Sequence, residues 1–262
     1  MEWKKTGDIP EINMKDNNTR QGGWYNTGLN WDSVITSLID FCNYKTIVEI
    51  GVLKGETTKK LCEVAEKVGG KVFGYDFFGE IGFYTTGTVV SNTQQQVEDF
   101  IGKKYFDQNI CKLTKIDTMS DEFTKVLAED TAGEIDLAFI DGCHSYDGTK
   151  SDFEKVYANL SPEGTIVFHD TFSHAGPRKF MLDLYDKYND GTFDLINLPF
   201  GGGPGCDEYN RIGLAILHKR SYLMSNGGVI NNSHDDHNPI DLQTLYDQEQ
   251  KWYKSQLKNK KA

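Results

Sequence analysis

The sequence has 262 residues, five cysteines and a formal net charge of −11. Because nucleic-acid binding relies on Lys and Arg neutralising phosphates, the acidic balance disfavours a nucleic-acid partner and leaves neutral or cationic small molecules and metal ions as ligands. We expect neither a membrane-spanning helix nor a secretory signal, because no apolar run is long enough, and the scattered cysteines predict free thiols in a cytoplasmic protein.

Short β-branched strands alternate with amphipathic helices from residue 31 onward. This alternation predicts an α/β fold with a Rossmann-like seven-stranded sheet, mostly parallel, and helices on both faces. The last two strands have no helix between them, so we expect one antiparallel late strand. The predicted strands are 46–50, 71–76, 111–117, 135–141, 165–170, 192–200 and 212–218. The predicted helices cover 31–42, a segment that follows residue 58 and stops at Gly69, 93–103, 120–130, 148–160, a segment opening at Pro177, and 239–257.

The chain divides into three regions by composition. Residues 1–30 are polar, with Trp24 and Tyr25 between glycines, and predict an arm that either packs on the surface or closes as a lid over a ligand. Residues 31–220 carry the alternating pattern and predict one domain. Residues 221–262 predict a polar C-terminal extension that contains the last helix.

A glycine-bearing turn follows the first predicted strand, which contains Glu49. Gly51 and Gly55 allow the backbone to approach a ligand closely at the start of a helix. Asp76 ends the second strand, where an acid can accept hydrogen bonds from ribose hydroxyls. Each feature alone is also typical of ordinary α/β proteins, but together they favour a nucleoside site.

Polar side chains follow two later strands of the predicted sheet. Asp141 and His144 come after one strand, and His169 and Asp170 end the next. Because the carboxyl ends of neighbouring parallel strands open onto one crevice, we expect these four side chains to meet in one pocket.

The segments EIGVLKGETT (49–58), IDGCHSY (140–146) and FHD (168–170), together with Asp76, resemble class I S-adenosylmethionine-dependent methyltransferases. The resemblance covers roughly residues 30–220, most of the chain. One of the residues concerned, Asp117, has two equal interpretations: it caps a helix, or it binds the adenine of the cofactor. The resemblance implies S-adenosylmethionine as cofactor, with Glu49, Gly51 and Gly55 at its methionine portion, Asp76 at the ribose, Asp117 and Thr118 near the adenine, and Asp141 beside the reacting centre.

The pattern D-G-x-H followed by His-Asp resembles, more narrowly, the metal-dependent sugar O-methyltransferases of macrolide biosynthesis and the cephalosporin hydroxylase type of enzyme, and more distantly catechol O-methyltransferase. The resemblance implies Asp141 and Asp170 as metal ligands, and His144 as general base. His169 stands where that group has Glu, and Mg²⁺ tolerates imidazole poorly. Three alternatives follow: His169 does not ligate, the site suits Mn²⁺ or Fe²⁺, or no metal binds.

The expected function is S-adenosylmethionine-dependent methylation of a hydroxyl on a sugar or another small polyol-bearing metabolite. Asp141 and His144 are the expected catalytic residues, and Asp141, His169 and Asp170 the expected ligands of a divalent metal, Mg²⁺ or Mn²⁺. Two alternatives stay open: a metal-independent enzyme that methylates a phenol with His144 alone as base, and a non-catalytic nucleoside-binding module. The expected partner is a small-molecule acceptor, and a homo-oligomer is left open.

Overall fold

A computed structural model describes residues 31–82, 89–188, 191–198, 212–220, 229–230 and 240–241. The predicted arm at 1–30 and the predicted helix at 239–257 lie outside the described residues, apart from residues 240 and 241. Among the described residues, no helix has the length and apolar character needed to cross a membrane.

Seven strands form the central sheet, and two short pairs of strands lie apart from it. In chain order the strands are β1 (Thr46–Ile50), β2 (Lys71–Asp76), β3 (Glu80–Gly82), β4 (Val89–Ser91), β5 (Cys111–Lys115), β6 (Ile135–Ile140), β7 (Leu160–His169), β8 (Phe193–Leu198), β9 (Leu214–Lys219), β10 (Val229–Ile230) and β11 (Ile240–Asp241). The sheet order is β5-β2-β1-β6-β7-β9-β8. Six strands of this sheet run in the same direction and β9 alone runs opposite to them, so the predicted fold class is confirmed.

Seven α-helices cover the two faces of the described sheet. They are α1 (Trp31–Cys42), α2 (Glu56–Val68), α3 (Gln94–Ile101), α4 (Lys103–Asp107), α5 (Asp121–Thr131), α6 (Tyr146–Ala158) and α7 (Ala175–Asp183), the last followed by a π-helical segment, Leu184–Tyr188. Alternate residues of each strand point to opposite faces, so that in β6 Leu137 and Phe139 join the core under α1–α4, while Ala138 and Ile140 join the core under α5–α7.

Three helices begin earlier than the sequence indicates: α2, which begins at Glu56, α6 and α7. The Ser145 side chain accepts a hydrogen bond from the Gly148 backbone N–H at 2.9 Å and caps α6, which therefore begins at Tyr146. Helix α7 begins at Ala175, so Pro177 is its third residue, not its first. Proline is tolerated there because the first backbone N–H groups of a helix have no intrahelical acceptor.

The segment 161–164, which separates the predicted helix 148–160 from the predicted strand 165–170, lies inside β7. Its residues form a bulge, because the pairing with β6 jumps from Ile135 opposite Leu160 to Leu137 opposite Thr165. The backbone of Glu163 is left-handed at φ 65°, which accommodates the extra residues.

Candidate active site

A cavity of about 690 Å³ opens at the carboxyl ends of the central strands. Its described wall includes seven of the predicted site residues: Gly51, Asp76, Asp117, Thr118, Asp141, His144 and Asp170. Three further predicted residues, Glu49, Gly55 and His169, lie outside the set of described residues that line the cavity. The sheet topology therefore places most of the predicted residues around one space at the carboxyl ends of the parallel strands, where ligands of open α/β sheets bind.

Gly51 joins the end of β1 to the end of β6. Its backbone N–H donates to the Tyr75 carbonyl at 2.9 Å, and the Asp141 N–H donates to the Ile50 carbonyl at 2.8 Å. The Gly51 backbone is left-handed at φ 88°, and a Cβ at this position would lie 2.1 Å from the Asp141 carbonyl oxygen. Only glycine fits this turn, which fixes the position of Asp141 relative to the first strand.

Asp76 fastens the turn that follows β1. One carboxylate oxygen accepts hydrogen bonds from the backbone N–H groups of Val52 and Leu53, both at 2.9 Å, and the other accepts from Phe78 at 2.8 Å. An ionised carboxylate offers about four acceptor positions, so three are already engaged with the protein. Binding of a ribose by Asp76 stays a prediction.

Replacing Asp76 with alanine is expected to lower the free energy of unfolding by about 3 kcal/mol or more, because charge-assisted hydrogen bonds contribute roughly 1.5–3 kcal/mol each and the freed N–H groups stay unpaired. Urea unfolding checks this. The Asp99→Ala variant, which changes an exposed helix residue, is the control and should stay within about 0.5 kcal/mol of wild type. Equal losses in the two variants would contradict a structural role for Asp76.

Asp117 shapes the loop before α5, and the N-cap of that helix is Ser120. Its side chain accepts a hydrogen bond from the Met119 backbone N–H at 2.9 Å, and its carbonyl accepts one from the Ser120 N–H at 3.0 Å. Asp117 and Thr118 also lie on the cavity wall, so adenine binding stays a prediction beside the structural role.

Two histidines and two aspartates meet at the ends of β6 and β7. His169 Nδ1 lies 3.1 Å from Asp141 Oδ1 and 3.3 Å from Asp170 Oδ2. His144 Nε2 lies 3.4 Å from Asp141 Oδ1 and 3.1 Å from Asp170 Oδ2. The four side chains expected in one pocket therefore do converge, with nitrogen and oxygen atoms alternating.

Asp170 is held in a strained conformation by the start of α7. Its backbone is left-handed at φ 57°, and its Oδ1 accepts a short hydrogen bond from the Ser173 hydroxyl. His174 Nδ1 lies 3.6 Å from the same oxygen, and the His174 ring packs on the His144 ring with centroids 4.1 Å apart. Strain of this kind concentrates at functional sites, where surrounding contacts maintain it.

His174 lines the cavity but was not predicted from the sequence. The one available signal is its spacing of four residues from Asp170, which by itself is common. Gly176 allows the approach of α7, because a Cβ there would lie 2.3 Å from the His144 carbonyl oxygen. The first turn of α7 therefore closes the His144 side of the site.

Residues 48–171 match a family model described as a methyltransferase domain. This segment, just under half of the chain, is similar to methyltransferase domains. The matched segment includes the glycine turn, Asp76 and all four of the converging histidine and aspartate side chains.

Solved structures of O-methyltransferases share the fold of this chain at low sequence identity. An O-methyltransferase from Bacillus cereus in complex with SAH has a TM-score of 0.54 at 13% identity, covering 72% of this chain and 80% of that one. The O-methyltransferase TomG from Streptomyces achromogenes, in complex with SAM, has a TM-score of 0.53 at 11% identity, covering 72% and 79%. The O-methyltransferase NovP has a TM-score of 0.51 at 15% identity, covering 71% and 76%.

A curated relative matches only a short part of the chain. The uncharacterized protein y4gI of Sinorhizobium fredii is 41% identical over 49 residues, which are 19% of this chain and 5% of that relative. This match covers too little of either protein to carry an activity across.

The two histidines and two aspartates stabilise opposite charges in each other. Burial opposes ionisation of Asp141 and Asp170, but the imidazoles outweigh it and hold the pKa of both carboxyls below the usual range. Burial likewise disfavours the charged forms of His169 and His144, but the two carboxylates outweigh it and raise the pKa of both imidazoles. A proton on His169 Nδ1 would therefore lie between two carboxylates.

The same atoms form a donor set that suits a divalent cation. Among the described residues, two groups place ligand atoms close together: Asp141 with His169 and Asp170, and His144 with Asp170 and His174. Carboxylate oxygens suit many divalent ions, whereas imidazole nitrogen suits transition metals and is a poor ligand for Mg²⁺. The residues therefore fit a divalent transition-metal ion, and they do not fit the all-oxygen environment of Mg²⁺.

Glu49, near the end of β1, is buried and does not belong to the described cavity wall. It is buried between the strands, and burial raises the pKa of its carboxyl to about 8, opposed by the nearby Thr58. Its Oε2 has no hydrogen-bond partner within the described part of the chain. Gly55, with φ 81°, packs against Val97 and Ile101 of α3. Contact of Glu49 or Gly55 with a cofactor stays a prediction.

Asp152 is a second buried carboxyl behind the site, and it predicts a pH effect on stability. It is fully buried in α6 beside Thr118, where burial raises its pKa to about 6. A raised pKa means that the folded state holds the proton more tightly, so stability falls as pH rises from about 4 through 6.

The Asp152→Asn variant, which cannot ionise, is expected to be more stable than wild type at pH 8 by up to about 3 kcal/mol, with this gain disappearing near pH 4. Urea unfolding at the two pH values checks this, with Asp99→Asn as the exposed control. A variant that is equally destabilised at both pH values would contradict the assignment.

Proposed function

We propose that the protein transfers the methyl group of S-adenosylmethionine to a hydroxyl oxygen of a small molecule, with His144 as general base. The carrying observation is that His144 stands on the cavity wall, with Nε2 within 3.1–3.4 Å of the carboxylates of Asp170 and Asp141. The carboxylates orient the His144 imidazole, and the glycine turn at Gly51 lies on the same cavity wall. This arrangement suits removal of a proton from an acceptor hydroxyl beside a bound nucleoside.

The reaction requires an acceptor oxygen that loses its proton and is aligned with the sulfonium methyl group. The acceptor oxygen attacks the methyl carbon, the bond from that carbon to sulfur breaks, and S-adenosylhomocysteine leaves. An aliphatic hydroxyl is a weak nucleophile at neutral pH, so its proton must be removed as the bond forms. With the Nε2–H of His144 directed at Asp141 and Asp170, Nδ1 carries the lone pair that accepts this proton. Fixing the two reactants in line supplies much of the remaining acceleration.

The proposed acceptor is a sugar or another polyol-bearing metabolite. The net charge of −11 favours neutral or cationic acceptors over anionic ones. A divalent ion held by Asp141, His169 and Asp170 would, when bound, lower the pKa of an acceptor hydroxyl and fix its orientation. His144 borders the same two carboxylates and so lies next to such a hydroxyl.

A second candidate keeps the methyl transfer and omits the metal. Its supporting observation is that His169 Nδ1 lies within 3.3 Å of the carboxylates of both Asp141 and Asp170, so that a protonated imidazole would satisfy both carboxylates without an ion. His144 alone would then act on a phenol, whose hydroxyl is more acidic and needs less activation.

Calorimetry and turnover assays on the full chain separate these functions. The proposal expects S-adenosylmethionine and S-adenosylhomocysteine to bind, NADH not to bind, and S-adenosylhomocysteine to be released with a hydroxyl-bearing acceptor from a panel of sugars, polyols and phenols. Loss of turnover in EDTA supports the metal, and full turnover in EDTA supports the second candidate. Cofactor binding without turnover on any acceptor would indicate a non-catalytic nucleoside-binding module.

A further inference from the structure

We propose that the ion of this centre is a transition-metal dication of the Mn²⁺, Fe²⁺, Co²⁺ and Zn²⁺ class and not Mg²⁺, because His169 Nδ1 is one of its ligands. The inference rests on the proposed function only in taking Asp141, His169 and Asp170 as the metal centre. It replaces a hard, all-oxygen site, which the wider resemblance implies, with a site of mixed nitrogen and oxygen ligands.

The spacing of the donor atoms supports a single ion. His169 Nδ1 lies 3.1 Å from Asp141 Oδ1 and 3.3 Å from Asp170 Oδ2. Neighbouring ligands at about 2.1 Å from one ion lie roughly 3.0–3.4 Å apart, depending on whether the geometry is octahedral or tetrahedral. The nitrogen therefore already lies at the distance from each of the two oxygens that ligands of one ion require, and the three atoms lie within 4.8 Å of one another.

His169 cannot leave this position easily. Only 9% of its side chain is exposed, and its ring makes edge contacts with Trp31 and Phe139 at centroid distances of 4.6 and 5.8 Å. These aromatic rings hold the imidazole with Nδ1 toward the carboxylates. An ion that occupies the centre must therefore accept this nitrogen, which Mg²⁺ does poorly because it prefers oxygen ligands and retains its waters.

Asp170 is held in place as a ligand before any ion arrives. Ser173 donates to its Oδ1, and His174 Nδ1 lies 3.6 Å from the same oxygen. These contacts direct Oδ2 toward His169 and His144. A ligand fixed by its neighbours loses little conformational entropy when an ion binds, which strengthens binding of an ion that suits the donors.

The test uses the full chain, freed of metal by chelation, and titrates it with MgCl₂, MnCl₂ and CoCl₂. The proposal expects Mn²⁺ and Co²⁺ to bind at least about 100-fold more tightly than Mg²⁺. It also expects pulsed electron paramagnetic resonance of the Mn²⁺ complex to show coupling to an imidazole nitrogen. Equal binding of Mg²⁺ and Mn²⁺, or a Mn²⁺ complex without nitrogen coupling, would overturn the proposal.

The variant His169→Glu gives the donor set an all-oxygen character. In this variant the preference for Mn²⁺ over Mg²⁺ is expected to fall by at least about 10-fold, and the nitrogen coupling is expected to disappear. The metal preference and the coupling are both expected to persist in His144→Ala. They should also persist in the control His218→Gln, which changes a histidine that pairs with Glu163. Coupling that persists in His169→Glu and disappears in His144→Ala would overturn the assignment of His169.

Binding of S-adenosylhomocysteine, measured by calorimetry on the same samples, keeps the two proposals distinguishable. If His169→Glu does not fold, which circular dichroism reports, the wild-type metal preference and nitrogen coupling decide the question alone. If the metal preference holds but no methyl transfer occurs, the proposed function fails and this inference stands. If transfer occurs with Mg²⁺ bound as tightly as Mn²⁺, the inference fails and the function stands.

Discussion

Replacing Gly51 with alanine is expected to lower the free energy of unfolding by about 3 kcal/mol or more, a loss that combines backbone strain with a steric clash. The new Cβ would lie 2.1 Å from the Asp141 carbonyl oxygen and 2.9 Å from the Gly142 Cα. Both are backbone atoms, so the clash is relieved only if β1 and β6 move apart. Equilibrium unfolding in urea, followed by circular dichroism, measures the loss.

The matched control is Gly69→Ala, at the C-terminal end of α2. Gly69 is also left-handed, at φ 71°, but a Cβ there meets no atom within 4 Å. It is expected to lose only about 1 kcal/mol, which is the penalty of a left-handed alanine. If the two variants lost the same free energy of unfolding, that result would contradict the close packing of Gly51 against the Asp141 backbone.

Replacing His144 with alanine is expected to lower kcat by about 10²–10⁴-fold, the usual contribution of a general base. Affinity for S-adenosylhomocysteine should stay within a few-fold of wild type, because the base acts on the acceptor proton. Rates of S-adenosylhomocysteine release with the best acceptor, together with calorimetry, check both parts.

His218→Ala is the control for the loss of a histidine. His218 lies on β9, where it pairs with the exposed Glu163, and its replacement should leave kcat unchanged. A His144→Ala variant that kept wild-type kcat would remove His144 as the base.

The seven strands and the direction of the late antiparallel strand followed from the sequence because each strand shows a strong local pattern. Segment 46–50 is β-branched and buried on both faces, as central parallel strands are. The absence of a helix between the last two strands indicated the one antiparallel strand, β9. Patterns of this kind reflect burial, which local sequence records directly.

The convergence of Asp141, His144, His169 and Asp170 was also predictable, because it depends only on which strand ends are neighbours. Their closeness follows from the parallel pairing of β6 with β7. Their roles as base and metal ligands stay predictions, since topology brings residues together without assigning chemistry to them.

His174 and Asp152 could not be found in the same way. The position of His174 depends on the left-handed backbone of Asp170 and on the packing of Gly176 against the His144 carbonyl, neither of which leaves a periodic pattern. Asp152 lies on a helix where an acidic residue normally faces water, and only the packing of Thr118 and Gly142 around it shows that it is buried. Tertiary contacts decide such positions.

The most direct test of the account follows the methyl group itself. The full chain is incubated with Mn²⁺, S-adenosylmethionine labelled in its methyl group, and the panel of sugars, polyols and phenols, and the products are analysed by mass spectrometry. The account predicts labelled product with the methyl group on a hydroxyl oxygen, an equal amount of S-adenosylhomocysteine, and almost no product from His144→Ala. Cofactor that binds without labelling any acceptor, or label found on nitrogen or carbon, would contradict it.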